Sequence, residues 1–431
     1  MSLPCRPVFV ARSAGSLAPL AAFIALAAGL AGCSPRVEAP PVLVVEPQAS
    51  PTGPGATEPS LHTASDGRIV LGWLEPAEAD TAGAKAMAMR VAVRATDGKW
   101  SAPHEVVKRS DLFVNWADFP SVVTLGPDRL LAHWLQKNGD SPYAYDVRLA
   151  ESRDGGASWS ESTTAHELGV QAEHGFATLL PDGQGGAHVF FLDGGANRTN
   201  KADPEYEFGG SMSLSTNVWK DGTDPAAKQV LDQRTCDCCQ TGAAVTSRGP
   251  VLVYRDRTDV EVRDIVITRL VDGAWTPPSR VHADEWTFDA CPVNGPAIAA
   301  DGDRVAVAWF TGAQDTPRVQ VAFSTDAGAT FGPPVRIDDG APSGRVGITW
   351  MDGAVLASWL ENGEGDQGAV RLRRVTPDGK KDDAVTVSAT DAARSSGFPR
   401  MTRTADGVLL AWTKPGSPDE VRMASVRVAK R

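Results

Sequence analysis

An aromatic residue closes a short apolar segment at seven points along this chain, at intervals of 50 to 63 residues. A tight turn containing Gly or Pro precedes each aromatic residue by a few positions, and further short apolar segments lie on both sides. The seven markers are Trp73, Trp134, Phe191, Tyr254, Trp309, Trp359 and Trp412. A repeat of this kind indicates modules that cannot bury both faces alone, so that neighbouring modules must pack on one another.

Four short antiparallel strands in most units predict an all-β chain folded as a β-propeller with four-stranded blades. We count seven blades. The last unit ends after its third strand, and the apolar segment Val42 to Val45 is a candidate for the missing outer strand, which would close the ring. In the alternative interpretation that segment only covers an edge, and the chain forms six blades and one irregular unit.

The N-terminal segment has a basic head with Arg6 and Arg12, an apolar run from Leu17, and the sequence Leu30-Ala31-Gly32-Cys33. These features are typical of a lipoprotein signal peptide at 1–32, after which Cys33 is lipidated and anchors the chain to a membrane. Because residue 34 is Ser rather than the retention residue Asp, we expect an outer-membrane lipoprotein, facing either the periplasm or the cell exterior.

Cleavage removes two arginines and no acid, so the net charge of −11 becomes more negative by two. Such an acidic chain is a poor partner for nucleic acid. The Pro-rich interval 33–58 predicts a tether that contains the candidate closing strand, and 59–431 predicts the propeller. We expect a monomer.

Two units carry the same pattern, Ser-x-Asp-x-Gly-x-x-aromatic, at the turn between their third and fourth strands. Its residues are Ser152, Asp154, Gly156 and Trp159 in one unit and Ser324, Asp326, Gly328 and Phe331 in the other. In such a turn Asp accepts hydrogen bonds from the turn backbone, Gly takes a left-handed conformation, and the ring covers the hairpin. The pattern resembles the Asp-box, or bacterial neuraminidase repeat, of the sialidase-like propellers. This resemblance covers nearly all of the mature chain, and it implies that the boxes are structural and lie opposite the active site.

For an active sialidase the resemblance implies three arginines that clamp a carboxylate, a Tyr–Glu nucleophile pair and an acidic proton donor. The stretch 57–62, where the first arginine would stand, holds none, and all four tyrosines precede the last three units. Arg345 and Arg400 begin inner strands of units six and seven and are candidate clamp residues, with surface arginines as the alternative. We therefore predict that the chain is not a true sialidase.

The loops that enter the inner strands converge on the propeller axis, and we call this end the rim. Four cysteines lie there in adjacent units, namely Cys236, Cys238, Cys239 and Cys291. One interpretation is structural disulfides, with one bridge from the cluster to Cys291 and the second either a tight loop or a vicinal bridge. In the other, the four thiolates and His174 bind copper or zinc. The sequence requires no cofactor.

Acidic residues also lie in the rim loops, and Asp118, Glu173 and Asp289 are candidate acid and base groups for glycoside cleavage. Solvated loop acids are the alternative interpretation. Two functions follow. The first is a surface-anchored lipoprotein that binds a glycan, a peptide or a metal at the Cys-rich rim. The second is an exo-acting glycoside hydrolase of sialidase-like fold with altered catalytic residues.

Overall fold

The computed structural model describes residues 41–80, 82–195, 212–220 and 222–429. These residues contain no α-helix, and three 3-10 turns lie between strands, at Pro225–Ala227, Ala313–Asp315 and Arg394–Ser396. No helix in this part of the chain is long and apolar enough to cross a membrane. The predicted signal peptide at 1–32 and the lipidated Cys33 lie outside the described residues.

The strands form seven antiparallel sheets, which are the seven blades. Strand β1 (Val42–Gln48) comes first in the chain. Blade one comprises β2 (Thr57–Thr63), β3 (Ile69–Ala77), β4 (Ala86–Arg94) and β5 (His104–Arg109). Blade two comprises β6 (Ser121–Thr124), β7 (Leu130–Lys137), β8 (Tyr145–Ser152) and β9 (Thr163–Thr164). Blade three comprises β10 (His174–Pro181), β11 (Ala187–Asp193), β12 (Met212–Trp219) and β13 (Gln229–Thr235).

Blade four comprises β14 (Gly242–Thr246), β15 (Gly249–Arg255), β16 (Ile265–Val271), β17 (Ala274–Trp275) and β18 (Ser279–Arg280). Both β17 and β18 pair with β16, so they are two pieces of one interrupted outer strand. Blade five comprises β19 (Ala297–Asp301), β20 (Arg304–Thr311), β21 (Arg318–Ser324) and β22 (Val335–Arg336). Blade six comprises β23 (Pro342–Met351), β24 (Ala354–Asn362), β25 (Gln367–Val375) and β26 (Val385–Asp391). Blade seven comprises β27 (Arg400–Arg403), β28 (Gly407–Lys414), β29 (Glu420–Ala429) and β1.

Strand β1 supplies the outer strand of blade seven, and the prediction of a closed seven-bladed ring is confirmed. It pairs antiparallel with β29 from Val42 opposite Ala429 to Gln48 opposite Met423. The pairing extends three residues beyond the predicted segment and includes Pro47. An edge of β29 that would otherwise be open to another chain is thereby covered.

The seven aromatic markers occupy the interfaces between blades. Each lies on the second strand of its blade and is at most 3 % exposed. The apolar core consists of seven clusters, one between each pair of neighbouring blades, and each cluster contains one marker. The repeat spacing in the sequence is therefore the spacing of the packing contacts that hold the ring together.

Both Asp-boxes have the structural role that the sequence predicted. Asp154 accepts hydrogen bonds from the backbone N–H and the hydroxyl of Ser158, and Gly156 donates its N–H to the hydroxyl of Ser152 at 2.8 Å. The second box repeats these bonds with Asp326 and Thr330. Because the first strand of each blade starts at the rim, the turn between the third and fourth strands lies at the opposite face of the ring.

Candidate functional site

The first strands of the blades, β2, β6, β10, β14, β19, β23 and β27, line the propeller axis and contact one another around the ring. All of them run away from the same face, so the loops that precede them meet there. This arrangement brings the predicted rim loops of blades two to five together with the loop 392–399 of blade seven. The rim is therefore the place where residues far apart in the sequence become neighbours.

The four rim cysteines form two disulfides, Cys236 with Cys239 and Cys238 with Cys291. The predicted bridge to Cys291 is present, and the second bond is the tight loop rather than the vicinal bridge. The first bond is buried, whereas Cys291 is exposed and its bond joins the loops of blades four and five. Because a sulfur in a disulfide is not a thiolate, this donor set does not fit the copper or zinc site considered from the sequence.

His174 belongs to a separate buried group. Its Nε2 lies 3.3 Å from Oδ1 of Asp193, and its ring stacks on that of His166 with 3.7 Å between centroids. The Nε2 of His166 accepts the N–H of Val147, and its Nδ1 faces the carbonyl of Glu167 at 3.1 Å. None of the contacts of His174 within the described residues involves a cysteine, so the predicted combination of His174 with the Cys cluster is not found.

Two of the three candidate acids meet at one tyrosine. The hydroxyl of Tyr145 lies 2.8 Å from Oε1 of Glu173 and 3.2 Å from Oδ2 of Asp118. The other oxygen of Asp118 accepts the N–H of Phe176 at 2.7 Å. Burial raises the pKa of Asp118 to about 7 and that of Glu173 to about 8. Asp289 stands apart from this group, because it is exposed and lies near Arg257.

A third acid, Glu58, joins this group and was not singled out from the sequence. Its side chain is buried, its Oε2 has no hydrogen-bond partner, and its backbone has a positive φ of 51°. Burial and the nearby charge of Asp118 raise its pKa well above the usual range. No local pattern marks Glu58, since the packing of blade one on blade two brings the start of blade one beside the loop that precedes blade two.

The two candidate clamp arginines are not surface residues. Arg345 is 6 % exposed, and its Nη1 donates to the backbone carbonyls of Ala393 and Gly397 at 3.1 and 2.9 Å. Arg400 is half-buried and lies with its guanidinium carbon 4.7 Å from the ring centroid of Phe119. The two residues therefore face different surroundings and do not form a clamp on one carboxylate.

Arginine and aromatic side chains alternate from the rim towards the axis. The guanidinium carbons of Arg394 and Arg345 lie 5.9 and 5.0 Å from the ring centroid of Trp116. The ring of Phe398 lies 6.0 Å from that of Trp116 and 5.8 Å from that of Phe119. We call this set, Arg394, Trp116, Arg345, Phe398, Phe119 and Arg400, the arginine–aromatic ladder. The sequence did not single out Arg394, because its aromatic partner Trp116 is 278 positions away in the chain.

Among the residues that the structure describes, neither arginine at the rim end of the ladder has an acidic partner. Within the described residues, no ion pair or hydrogen bond of the Arg394 guanidinium is found, although this side chain is exposed. Burial, followed by the like charge of Arg394, lowers the pKa of Arg345 to about 10, so that it remains a cation at neutral pH. The rim therefore carries a positive patch on a chain whose overall charge is negative.

Seven four-stranded blades with Asp-boxes on the face opposite the rim give this chain a sialidase-like β-propeller fold. No protein-family model matches the sequence, and no curated protein matches it. Among solved structures, a leech intramolecular trans-sialidase is similar over 90 % of this chain and 93 % of its own, with 10 % identity and a TM-score of 0.45. An α-L-arabinofuranosidase from Fusarium graminearum is similar over 90 % and 98 %, with 12 % identity and a TM-score of 0.45. A Hadza microbial sialidase is similar over 80 % and 73 %, with 14 % identity and a TM-score of 0.47.

Proposed function

We propose that this chain is an outer-membrane lipoprotein, anchored through Cys33, whose propeller binds an anionic glycan at the rim. The observation that carries the proposal is the position of Arg394, an exposed cation with no acidic partner in the described residues, beside the ring of Trp116. Arginine pairs with carboxylate or sulfate groups through two parallel hydrogen bonds. An aromatic ring offers an apolar platform at low entropic cost, and Trp and Arg are the side chains enriched in binding hot spots.

The surroundings of this patch favour a preformed binding surface. Arg345 is buried and holds the loop 393–397 through two backbone carbonyls. The disulfide between Cys238 and Cys291 cross-links two neighbouring rim loops. A rim with little freedom loses little entropy when a ligand binds.

The proposal is tested with the mature protein in detergent, using titration calorimetry against uronate-containing, sulfated and matched neutral oligosaccharides. We expect binding of the acidic glycans that weakens at least tenfold in Arg394→Met and Trp116→Leu and is unchanged in Arg403→Met, an exposed arginine of β27. Equal affinity of the parent and Arg394→Met proteins, or a preference for the neutral sugars, would contradict the proposal.

The anchoring part of the proposal has its own test. Metabolic labelling with an alkyne fatty acid should mark the parent protein and leave Cys33→Ala unmarked. Membrane fractionation should place the labelled chain in the outer membrane. Retention of the label in Cys33→Ala would refute the lipidation site.

We further propose that the protein is a monomer and that it does not bind nucleic acid, because its net charge is strongly negative.

A second candidate function is glycoside hydrolysis with altered residues, and the acids around Tyr145 favour it. Asp118 and Glu173 have raised pKa values, as a general acid requires near neutral pH. However, Asp118 and Tyr145 are buried and bonded to each other, which leaves little access for a substrate. Release of reducing sugar by the parent protein, lost in both Asp118→Asn and Glu173→Gln but retained in Asp289→Asn, would establish the hydrolase instead.

A further inference from the structure

The propeller axis holds a channel that the rim proposal does not use. It consists of two adjoining cavities of about 150 and 200 Å³, which share Thr178, Gln240, Thr241 and Arg400 as lining residues. Together the cavities are lined by the first strands of all seven blades. A space of this size admits several waters or an ion with few atoms.

Arg400 is the charged side chain common to both cavities. It stands at the first position of β27, directly after Pro399, with its guanidinium beside the ring of Phe119. Within the described residues, its side chain makes no hydrogen bond and no ion pair. A guanidinium carries five N–H donors, so a partly buried one without acceptors is exceptional.

The other interior arginines of this protein have acceptors. The guanidinium of Arg255 donates to three backbone carbonyls, those of Asn294, Arg263 and Phe310. Arg345 donates to two carbonyls, as described above. The same holds for Arg257, Arg263 and Arg373, which have carboxylate or carbonyl partners. Arg400 is half-buried, and it differs from these five buried arginines in having no hydrogen-bond acceptor among the described residues.

The charge on Arg400 persists in the channel. Burial lowers its pKa to about 10, so it stays protonated at neutral pH. His62, which lines the same cavity, is neutral there because burial lowers its pKa to about 4. Asp118 also lines this cavity, but its oxygens face Phe176 N–H and the Tyr145 hydroxyl rather than Arg400. The guanidinium thus has no counter-charge from the described residues.

The channel wall also offers hydroxyl groups. Thr178 and Thr241 line both cavities together with Arg400, and their hydroxyl oxygens lie 2.8 Å apart. The Thr178 hydroxyl also lies 3.0 Å from the Thr241 carbonyl, a bond that it would exchange for one to an anion. A hydroxyl can rotate to donate to an anion, and a chain of two hydroxyls can share that role. We propose that Arg400 binds a small anion inside the axial channel, either a halide or an oxyanion of the size of acetate or phosphate. Such an anion neutralises the buried charge, and its site is distinct from the rim patch at Trp116.

Thermal unfolding of the full-length mature protein tests this proposal. Chloride, acetate and phosphate are each titrated at constant ionic strength, which is maintained with gluconate as the bulky reference anion. We expect a saturable rise of the unfolding midpoint with at least one of the three small anions, as for any ligand that binds only the folded state. Arg400→Met should lose the saturable rise, and Arg400→Lys should need at least tenfold more anion.

Arg403→Met is the matched control, because Arg403 lies on the same strand but is exposed, and it should respond as the parent protein does. A midpoint that changes equally with all anions, or a rise that persists in Arg400→Met, would overturn the proposal. Should Arg400→Met fail to fold, crystals of the parent protein grown in bromide decide the question. Anomalous density in contact with the Arg400 guanidinium supports the site, and bromide found only elsewhere on the protein refutes it.

Discussion

The hydroxyl of Tyr145 lies 2.8 Å from a carboxylate oxygen of Glu173, at the place where the loops of blades two and three meet. The same hydroxyl lies 3.2 Å from Asp118, yet a phenol has one hydrogen and can donate to one carboxylate at a time. The second carboxyl can hydrogen-bond to the same hydroxyl oxygen when it is protonated and donates its own hydrogen. This geometry agrees with the raised pKa values of both acids, and Glu58 adds a third buried carboxyl nearby.

These three acids predict how stability depends on pH. Above about pH 6.5 the buried histidines His62, His133 and His166, whose pKa values burial lowers to about 4, 4 and 3, are mostly neutral in both states. Between about pH 6.5 and pH 8 the unfolded chain has released the protons that the three acids still hold in the folded state, so the free energy of unfolding should fall as pH rises through this window. Each group contributes a slope of at most about 1.4 kcal/mol per pH unit. Urea unfolding at a series of pH values measures how the free energy of unfolding depends on pH. Asp118→Asn should flatten the decline, whereas Asp289→Asn, at an exposed acid, should not. A stability that rises from pH 6.5 to pH 8 would contradict this account.

The two disulfides should contribute unequally to stability. The bond between Cys238 and Cys291 closes a separation of 53 residues and that between Cys236 and Cys239 one of 3 residues. Because each bond restricts the unfolded chain, we expect it to raise the free energy of unfolding by about 4 kcal/mol for the long loop and about 2 kcal/mol for the short one. Replacement of each pair by serines, followed by chemical unfolding, compares them. An equal or larger loss on removal of the short loop would show that local rim packing outweighs chain entropy.

The Asp-box glycine of blade five is expected to be sensitive to a single methyl group. Gly328 has a φ of +79°, and a Cβ there would lie 2.7 Å from Cδ1 of Ile267. Gly328→Ala should therefore lower the free energy of unfolding by about 1–2 kcal/mol from backbone conformation, with crowding in addition. Gly332→Ala is the control, because that residue has no positive φ and ample space. Glycan binding at the rim should be unchanged in both variants, since the box lies on the opposite face.

Ring closure predicts the effect of changes in β1. Leu43 is buried in the cluster between blades six and seven, and its neighbour across the strand pair is Val428. Leu43→Ala should cost about 2 kcal/mol or more of unfolding free energy through lost packing. Pro47→Ala, at an exposed position of the same strand, should cost little. Deletion of 42–48 should expose the edge of β29 and cause association that increases with protein concentration, as sedimentation velocity would detect. A monomeric, fully stable deletion variant would show that closure is dispensable.

The fold could be read from the sequence because its determinants are local and repeated. An aromatic residue such as Trp73 or Trp309 recurs at nearly constant spacing, and each fills one interface between blades. The turn chemistry of Ser152 to Trp159 is complete within eight residues, so its role follows from the residues themselves. A bridge from the cysteine cluster of blade four to Cys291 was expected from their equivalent positions in adjacent units, which is again a property of the repeat, and the structure shows that Cys238 forms it.

Tertiary structure decided which polar side chains meet across blades. The sequence alone determined a repeated β-propeller with structural turns and rim cysteines, and it favoured seven blades closed by the segment at Val42 over six blades and one irregular unit. It could not assign Glu58 and Glu173 to Asp118, because these residues come from different blades that meet only through packing. It could not assign Arg394 to Trp116 either, because the loops of blades seven and two are neighbours only when the ring closes. Periodicity specifies which face of a strand is buried. The angle and distance between loops of different blades depend instead on the packing of all seven interfaces. That packing determines where the positive patch lies, and it leaves Arg400 in the channel without a hydrogen-bond acceptor among the described residues.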